Sequence, residues 1–323
     1  MKRFLYITGA TLAILVVGAL VWGVAIEPYR LDREDITARV PDLPEQWQGE
    51  QVALITDFQV GMWLDNSHLL SDIAEELASM APAAVLIGGD FIYSPVGEGS
   101  VEAAREELDD DDRREVLASL DEALDRLSPV FESGVPVYAV LGNHDYAMSS
   151  PQDARLDFMA EEVRERIEAR GGVVLQNRAV EMTHDRAGAP LYLVGVGSRY
   201  AGLDDVDRAL EGLEDGAPRI VMAHNPATFP QFPAHSAPLV LSGHTHGGQI
   251  RLPGLPQWSW MGLARPGEAH VDGWVAEEFG APGNRLYVNR GIGFSYVPLR
   301  LNAPPELTVV TLERGRTEGD AAR

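Results

Sequence analysis

The chain has 323 residues, 45% of them hydrophobic, with 49 acidic against 26 basic side chains and a formal net charge of −23. So acidic a surface repels phosphate backbones, which excludes a nucleic-acid scaffold from the expected partners. There is no cysteine, which excludes disulfides, thiolate metal sites and cysteine nucleophiles and is compatible with an oxidising compartment.

Phe4 to Ile26 carries no charged residue. As a helix it would span about 34 Å, enough for a hydrocarbon core of roughly 30 Å. Lys2, the only lysine, and Arg3 precede it, while Glu27, Asp32, Glu34 and Asp35 follow. The positive-inside rule then puts the N-terminus in the cytoplasm and the rest outside a single-pass anchor. Trp22 and Tyr29 fall where an interfacial aromatic belt would lie. The rival reading is a signal peptide cleaved near Gly23-Val24-Ala25. Residues 1–26 are therefore expected as a membrane anchor or uncleaved signal. Residues 27–50, punctuated by Pro28, Pro41 and Pro44, read as a linker with one short strand at Ile36–Val40.

From Gln51 onward, short apolar runs end in polar or glycine-rich turns. The expected strands are Val52–Thr56, Ala84–Ile87, Val135–Leu141, Val173–Leu175, Leu191–Val196, Arg219–Ala223 and Leu239–Ser242, then Gln249–Leu252, Arg285–Asn289 and Glu306–Leu312. The expected helices are Ser67–Met80, Arg113–Leu127, Asp153–Arg170 and Asp204–Leu213. In the second of these, Val116, Leu117, Leu120, Leu124 and Leu127 form one apolar stripe, read as a core-packing face. The acidic run from Glu106 to Asp112 lacks the alternating ligands and central glycine of a calcium loop and reads as a solvated loop or helix start. The late strands follow one another without helices. The chain thus starts as α/β and finishes as a more antiparallel set, which suggests two packed sheets. One domain is expected over 51–315, with a disordered tail at 316–323.

Five strand ends carry the chemistry. They are Thr56-Asp57-Phe58-Gln59, Gly88-Gly89-Asp90, Gly142-Asn143-His144-Asp145, His224-Asn225 and Gly243-His244-Thr245-His246. In α/β sheets, ligands bind outside the carboxyl ends of strands, so five polar clusters at such ends can converge on one crevice. Each cluster alone is capping and turn chemistry. Together they offer two carboxylates, three histidines and the amides of Asn143 and Gln59. That sulfur-free oxygen and nitrogen mix suits manganese, iron, zinc or magnesium. A carboxylate shared by two ions would hold them roughly 3.5–4 Å apart, the spacing that activates water and clamps phosphoryl oxygens. His144 is then the surplus histidine, suited to steady a phosphate oxygen or protonate a leaving group.

In this order the motifs resemble the calcineurin-like metallophosphoesterase family, over nearly everything from Glu34 to Arg314. The stretch from Gly243 through Gln249, with Tyr287-Val288-Asn289-Arg290-Gly291-Ile292-Gly293, is similar to its exported or membrane-anchored branch. The resemblance implies an α/β (α+β) fold: a four-layer sandwich of two mixed β-sheets flanked by helices, here preceded by one N-terminal transmembrane helix. It implies that Asp57, Gln59, Asp90 and His246 hold one divalent ion. Asp90, Asn143, His224 and His244 would hold the other, with Asp90 bridging. His144 would act at the transition state or leaving group, oriented by Asp145. The family's first motif is usually Asp-x-His, and here Gln59 stands in the histidine's place. A glutamine oxygen is neutral and a weaker ligand than imidazole, which favours manganese over zinc and a looser first ion. His68 is a candidate substitute.

The expected function is a two-metal phosphoester hydrolase outside the cytoplasmic membrane, acting on a lipid-linked phosphate or pyrophosphate. The alternatives are a catalytically silent metal-binding or scaffold module and a nucleotide phosphodiesterase. Trp258, Trp260, Met261 and Leu263 would either line an acyl-chain groove, dip into a membrane surface, or form a satellite core. Arg290 would touch either a substrate phosphate or a structural ion partner. His184, His235 and His270 read as ordinary surface or loop residues.

Overall fold

A computed structural model describes residues 2–315 apart from 94, 185, 187, 253–254 and 265–269, so the tail expected at 316–323 lies outside the described residues. In chain order the strands are β1 (Asp32–Pro41), β2 (Gln51–Ile55), β3 (Ala84–Ile87), β4 (Val137–Ala139), β5 (Val173–Val174), β6 (Arg178–Glu181) and β7 (Tyr192–Val196). They continue as β8 (Arg219–Ala223), β9 (Val240–Ser242), β10 (Arg251–Leu252), β11 (Leu255–Ser259), β12 (Gly273–Trp274), β13 (Leu286–Val288) and β14 (Glu306–Gly315). The α-helices are α1 (Lys2–Ala25), α2 (Leu69–Met80), α3 (Val101–Glu107), α4 (Asp110–Arg126), α5 (Ser128–Glu132), α6 (Asp157–Ala169), α7 (Val206–Leu210) and α8 (Trp260–Ala264).

Two six-stranded mixed sheets pack face to face, in the orders β1-β14-β2-β3-β4-β5 and β12-β13-β9-β8-β7-β6. The period-2 geometry of a strand explains the layering. In β2, Val52 and Leu54 point between the sheets, while Ala53 and Ile55 point at the helices. In β8, Ile220 and Met222 meet the facing sheet, and Val221 and Ala223 the outer layer. The apolar stripes of α2, α4 and α6 cover the first sheet, with Leu117, Leu120 and Leu124 of α4 buried there as the periodicity predicts. The acidic run is the start of α4, where the Asp109 side chain accepts from the amides of Asp111 and Asp112.

Three features differ from the sequence reading. The strand expected at Ile36–Val40 spans Asp32–Pro41 and pairs in parallel with β14 along its whole length. Its first half alternates with exposed charges, which hides it from an apolar count. The late strands are antiparallel only in part: β10 pairs antiparallel with β11, β12 with β13 and β14 with β2, but β13 pairs in parallel with β9, and β9 with β8. Strand direction is set by which neighbour a strand meets, a tertiary fact. Finally, β6, β11, β12 and the short helices α3, α5 and α8 have too little apolar periodicity to be read in advance.

Helix α1 is long and apolar enough to cross a membrane. Its base is built into the domain. The last carbonyls of a helix lack intrahelical donors, and the Gly23 carbonyl takes one from the Arg300 amide at 2.8 Å. Glu27, buried just beyond the helix, accepts from Trp22 Nε1 (2.7 Å) and from the Ala303 amide (2.6 Å).

Candidate active site

The five motifs lie just past the carboxyl ends of β2, β3, β4, β8 and β9. All nine expected site residues are buried, at 6% exposure or less. So many polar groups out of water are costly unless each finds a partner. The backbone is strained to bring them together: Asp57, Gln59, Asp90, His244 and His246 all have positive φ, between 45° and 72°. Such conformations persist only where the surroundings enforce them, and they cluster at functional sites. Two glycines permit the close approach. A Cβ on Gly142 would sit 2.1 Å from Asp90 Oδ1, and one on Gly243 would sit 2.3 Å from Asp57 Oδ2.

Asp90 is the hub. Its Oδ2 lies 3.0 Å from His224 Nε2 and accepts from Gln59 Nε2 at 3.3 Å, while its Oδ1 accepts the His144 amide at 2.8 Å. Ligand atoms of Asp90, His224 and His244 all fall within 4.8 Å of one another, a grouping able to hold a cation. Asp57 accepts the His244 amide on both oxygens (3.0 Å) and the Thr56 hydroxyl, and its Oδ1 lies 3.7 Å from His246 Nε2. His224 Nδ1 sits 2.8 Å from the Gly88 carbonyl, which fixes the tautomer and leaves Nε2 toward Asp90.

The donor chemistry fits hard or borderline divalent ions. Gln59 Oε1 and Asn143 Oδ1 are buried without a hydrogen-bond donor among the described residues. Their amide nitrogens are bonded, Gln59 Nε2 to Asp90 Oδ2 at 3.3 Å and Asn143 Nδ2 to the Met148 carbonyl at 2.6 Å, which leaves both oxygens as the atoms free to take a cation. A buried acceptor without a donor is expensive in a folded protein, and a cation resolves it.

The electrostatics agree. Burial, with Asp90's charge adding to it, pushes Asp57 up to about 6. Burial also opposes the ionisation of Asp90, but His224, His144 and His244 around it hold its carboxyl well below the usual range. Burial alone would lower His224, yet Asp90's charge and hydrogen bond raise it to about 9. His246 is lowered by burial and then by Arg300, leaving a neutral imidazole suited to a metal.

Asp145 lies beneath the cluster. Its Oδ2 accepts the amides of Gly142 (2.8 Å) and Asp90 (3.0 Å), and its Oδ1 accepts that of Phe91 (2.8 Å). The carboxylate expected to orient His144 thus ties the β3 and β4 turns to each other. His68, the candidate substitute for Gln59, is exposed and stacks on Tyr29 instead, ring centroids 5.3 Å apart. Arg290 is a structural ion partner, with Asp32 Oδ2 at 2.7 Å, Glu306 Oε2 at 3.2 Å and Glu34 Oε1 at 3.3 Å. Trp258, Trp260 and Leu263 are more than half exposed, so only Met261 of that group is core.

Several site neighbours were not read from the sequence. Tyr93 lies 5.1 Å from the His144 ring and Tyr200 lies 4.8 Å from the His244 ring. Arg300, fully buried, donates to the carbonyls of Arg290, Gly291, Gly293 and Ala303, and its Nη2 lies 3.3 Å from His246 Nδ1. An arginine in an irregular segment carries no sequence signal for such a role.

Comparison with known proteins adds the family. A model of the calcineurin-like phosphoesterase family matches residues 51–248. Protein YpbG of Bacillus subtilis is 30% identical over 75% of this chain and 74% of its own length. The phosphodiesterase YaeI of Escherichia coli is 29% identical over 76% of this chain and 75% of its own. The UDP-2,3-diacylglucosamine pyrophosphatase LpxG of Chlamydia muridarum is 23% identical over 90% of this chain and 92% of its own. The matched span contains every one of the nine clustered residues, and the chain belongs to the calcineurin-like phosphoesterase family, a phosphoester hydrolase that uses divalent metal.

Proposed function

We propose that this chain is a two-metal hydrolase of lipid-linked phosphate or pyrophosphate esters, working at the outer face of a cytoplasmic membrane. The observation that carries the reading is the pair of donorless amide oxygens, Gln59 Oε1 and Asn143 Oδ1, buried in the same cluster as Asp90. Asp57, Gln59, Asp90 and His246 would hold one ion, and Asp90, Asn143, His224 and His244 the other. Gln59 in place of imidazole favours manganese. When bound, such ions supply a water nucleophile near neutral pH and positive charge for the phosphoryl transition state.

The chain's own residues do the rest. Asp90, fixed by the His144 amide and Gln59 Nε2, would be shared between the two ions. Asp145 is a positioning residue that holds the turns carrying Asp90 and Asn143. His144, against the Tyr93 ring, would protonate the leaving oxygen. A lipid-linked substrate is supported by α1 and by the diacylglucosamine pyrophosphatase relative. The outer face is supported by Lys2 and Arg3 before the helix and acidic residues after it.

The test is hydrolysis of an aryl phosphate ester with Mn²⁺. Asp90→Ala should abolish it, and His144→Ala should lower it by about 10²–10⁴. Equal rates in all three proteins would sink the reading. Two metals per purified chain are expected; one or none, without turnover, would point to a silent module. A panel of phospholipids, lipid-linked diphosphates and nucleotides then identifies the substrate class.

A further inference from the structure

The base of α1 meets two loops and, through the second, a third, and all three present large apolar side chains to solvent. The first loop is tied in by Asn66 Nδ2, which donates to the Pro28 carbonyl at 2.8 Å, and by the stacking of His68 on Tyr29; it carries Trp63, 81% exposed. The second is tied in by the Arg300 amide on the Gly23 carbonyl; it carries Tyr296 and Val297, both more than 40% exposed. The third is tied to the second: the Arg251 amide donates to the Leu301 carbonyl (2.8 Å) and the Leu301 amide to the Gln249 carbonyl (2.9 Å). It carries Leu252, Trp258, Trp260 and Leu263, each more than half exposed. Outside α1 and Ile26, and among the described residues, Val101 and Trp274 are the large apolar side chains of comparable exposure that lie elsewhere.

We propose that this rim is an interfacial docking surface for the bilayer that α1 spans, so that the catalytic domain lies on the membrane and is not held above it. The inference rests on reading α1 as a membrane span. Helix length carries it further. At about 1.5 Å per residue, α1 covers a hydrocarbon core of roughly 30 Å with little to spare. Gly23 and Glu27 therefore sit at the outer boundary; the second loop, hydrogen-bonded to both, sits there too, with the first loop beside it at Pro28 and the third held to the second. Tryptophan and tyrosine at that level are the residues of an interfacial belt. The rim's Arg251 is paired with Asp272 at 2.6 Å, so the rim would act by apolar insertion and not by attraction to anionic lipid. The same rim reaches the site: Tyr296 lies against Tyr93, whose ring abuts His144. A phosphate at headgroup height would meet the site with its acyl chains still in the bilayer.

The test uses the full chain in phosphatidylcholine vesicles containing lipids brominated near the headgroup end of the acyl chain. Of the six tryptophans, Trp22, Trp63, Trp258 and Trp260 would be reached, and Trp47 and Trp274 would not. Trp258→Gln/Trp260→Gln should therefore lose about half of the bromolipid quenching, at wild-type thermal stability. Quenching unchanged by the double substitution would overturn the proposal, and so would a loss of self-association in its place, which would make the rim a contact between copies. A soluble aryl phosphate is run alongside: turnover of that ester reports on the phosphoesterase reading, and quenching reports on docking.

Discussion

Asp145→Asn removes one negative charge from beneath the site without replacing any expected ligand. In the folded chain one carboxylate oxygen accepts two amides, from Gly142 and Asp90, and the other accepts that of Phe91 and, at 3.4 Å, that of Ile92. An asparagine has one acceptor oxygen, so at least one buried N–H must face an NH₂ group. Leaving a buried donor unsatisfied costs about 1–3 kcal/mol, and the bonds that survive lose their charge assistance. The sum is about 2–4 kcal/mol, which for a domain of this size lowers Tm by about 4–16 °C. Ionisation has to be considered. Burial, followed by Asp90's charge, pushes Asp145 up to about 7. A carboxyl raised on folding contributes stability that is fully present below its unfolded pKa, near 4, and lost as pH rises through 7. The metal-free protein should therefore weaken from about pH 4 to pH 7, and the variant should lack that part of the slope. Calorimetry at pH 8 with Mn²⁺ bound, where cations offset the Asp90 repulsion, should show the full difference, and chelation should narrow it. A variant that melts within about 2 °C of wild type when loaded would refute the account.

Gln59→His restores an imidazole beside Asp57, and metal analysis after dialysis should find the first ion better retained than in wild type; unchanged retention would remove Gln59 as the cause of loose binding. Gly243→Ala drives a methyl to 2.3 Å from Asp57 Oδ2, and overpacking of this kind costs about 1–3 kcal/mol. It should lower both Tm and metal content, while a normally loaded variant would show that the turn relaxes freely. His224, raised to about 9 by Asp90 against the effect of burial, is protonated at neutral pH in the metal-free chain. A ligand must be neutral, so metal uptake should release a proton and tighten about tenfold per pH unit until the pH approaches 9. Titration calorimetry in two buffers of different ionisation enthalpy measures this, and buffer-independent heats would contradict it.

The site was legible in the sequence because its ligands follow short apolar strands directly, so Val85-Leu86-Ile87 announces Gly88-Gly89-Asp90. The sandwich was legible for a related reason: Val52 and Leu54 alternate with Ala53 and Ile55, and both faces are apolar. What could not be read depends on distant partners. The ten-residue pairing of β1 with β14 hides behind exposed charges in Asp32–Asp35. The left-handed backbones of Asp57, Asp90 and His244 have no local cause, since none is a glycine. The amides held by Asp145 come from two different turns. Arg300 finds its carbonyls only once the segment from Arg290 to Ala303 has folded over it.

If α1 spans a membrane as proposed, the clasp at Gly23 and Glu27 gives it a property that a flexible leash would lack. Two hydrogen bonds from residues near 300, and one across Glu27 itself, leave the helix and the sandwich little freedom to swing or swivel independently. The helix is then a fixed mount that sets both the height and the heading of the cleft. A Cβ at Gly23 would press to 2.9 Å of the Arg300 carbonyl oxygen, so this position couples the mount to the machine. Lengthening the chain between Ala25 and Asp32 would turn the mount into a leash, and reach would replace aim as the determinant of which bonds the enzyme meets.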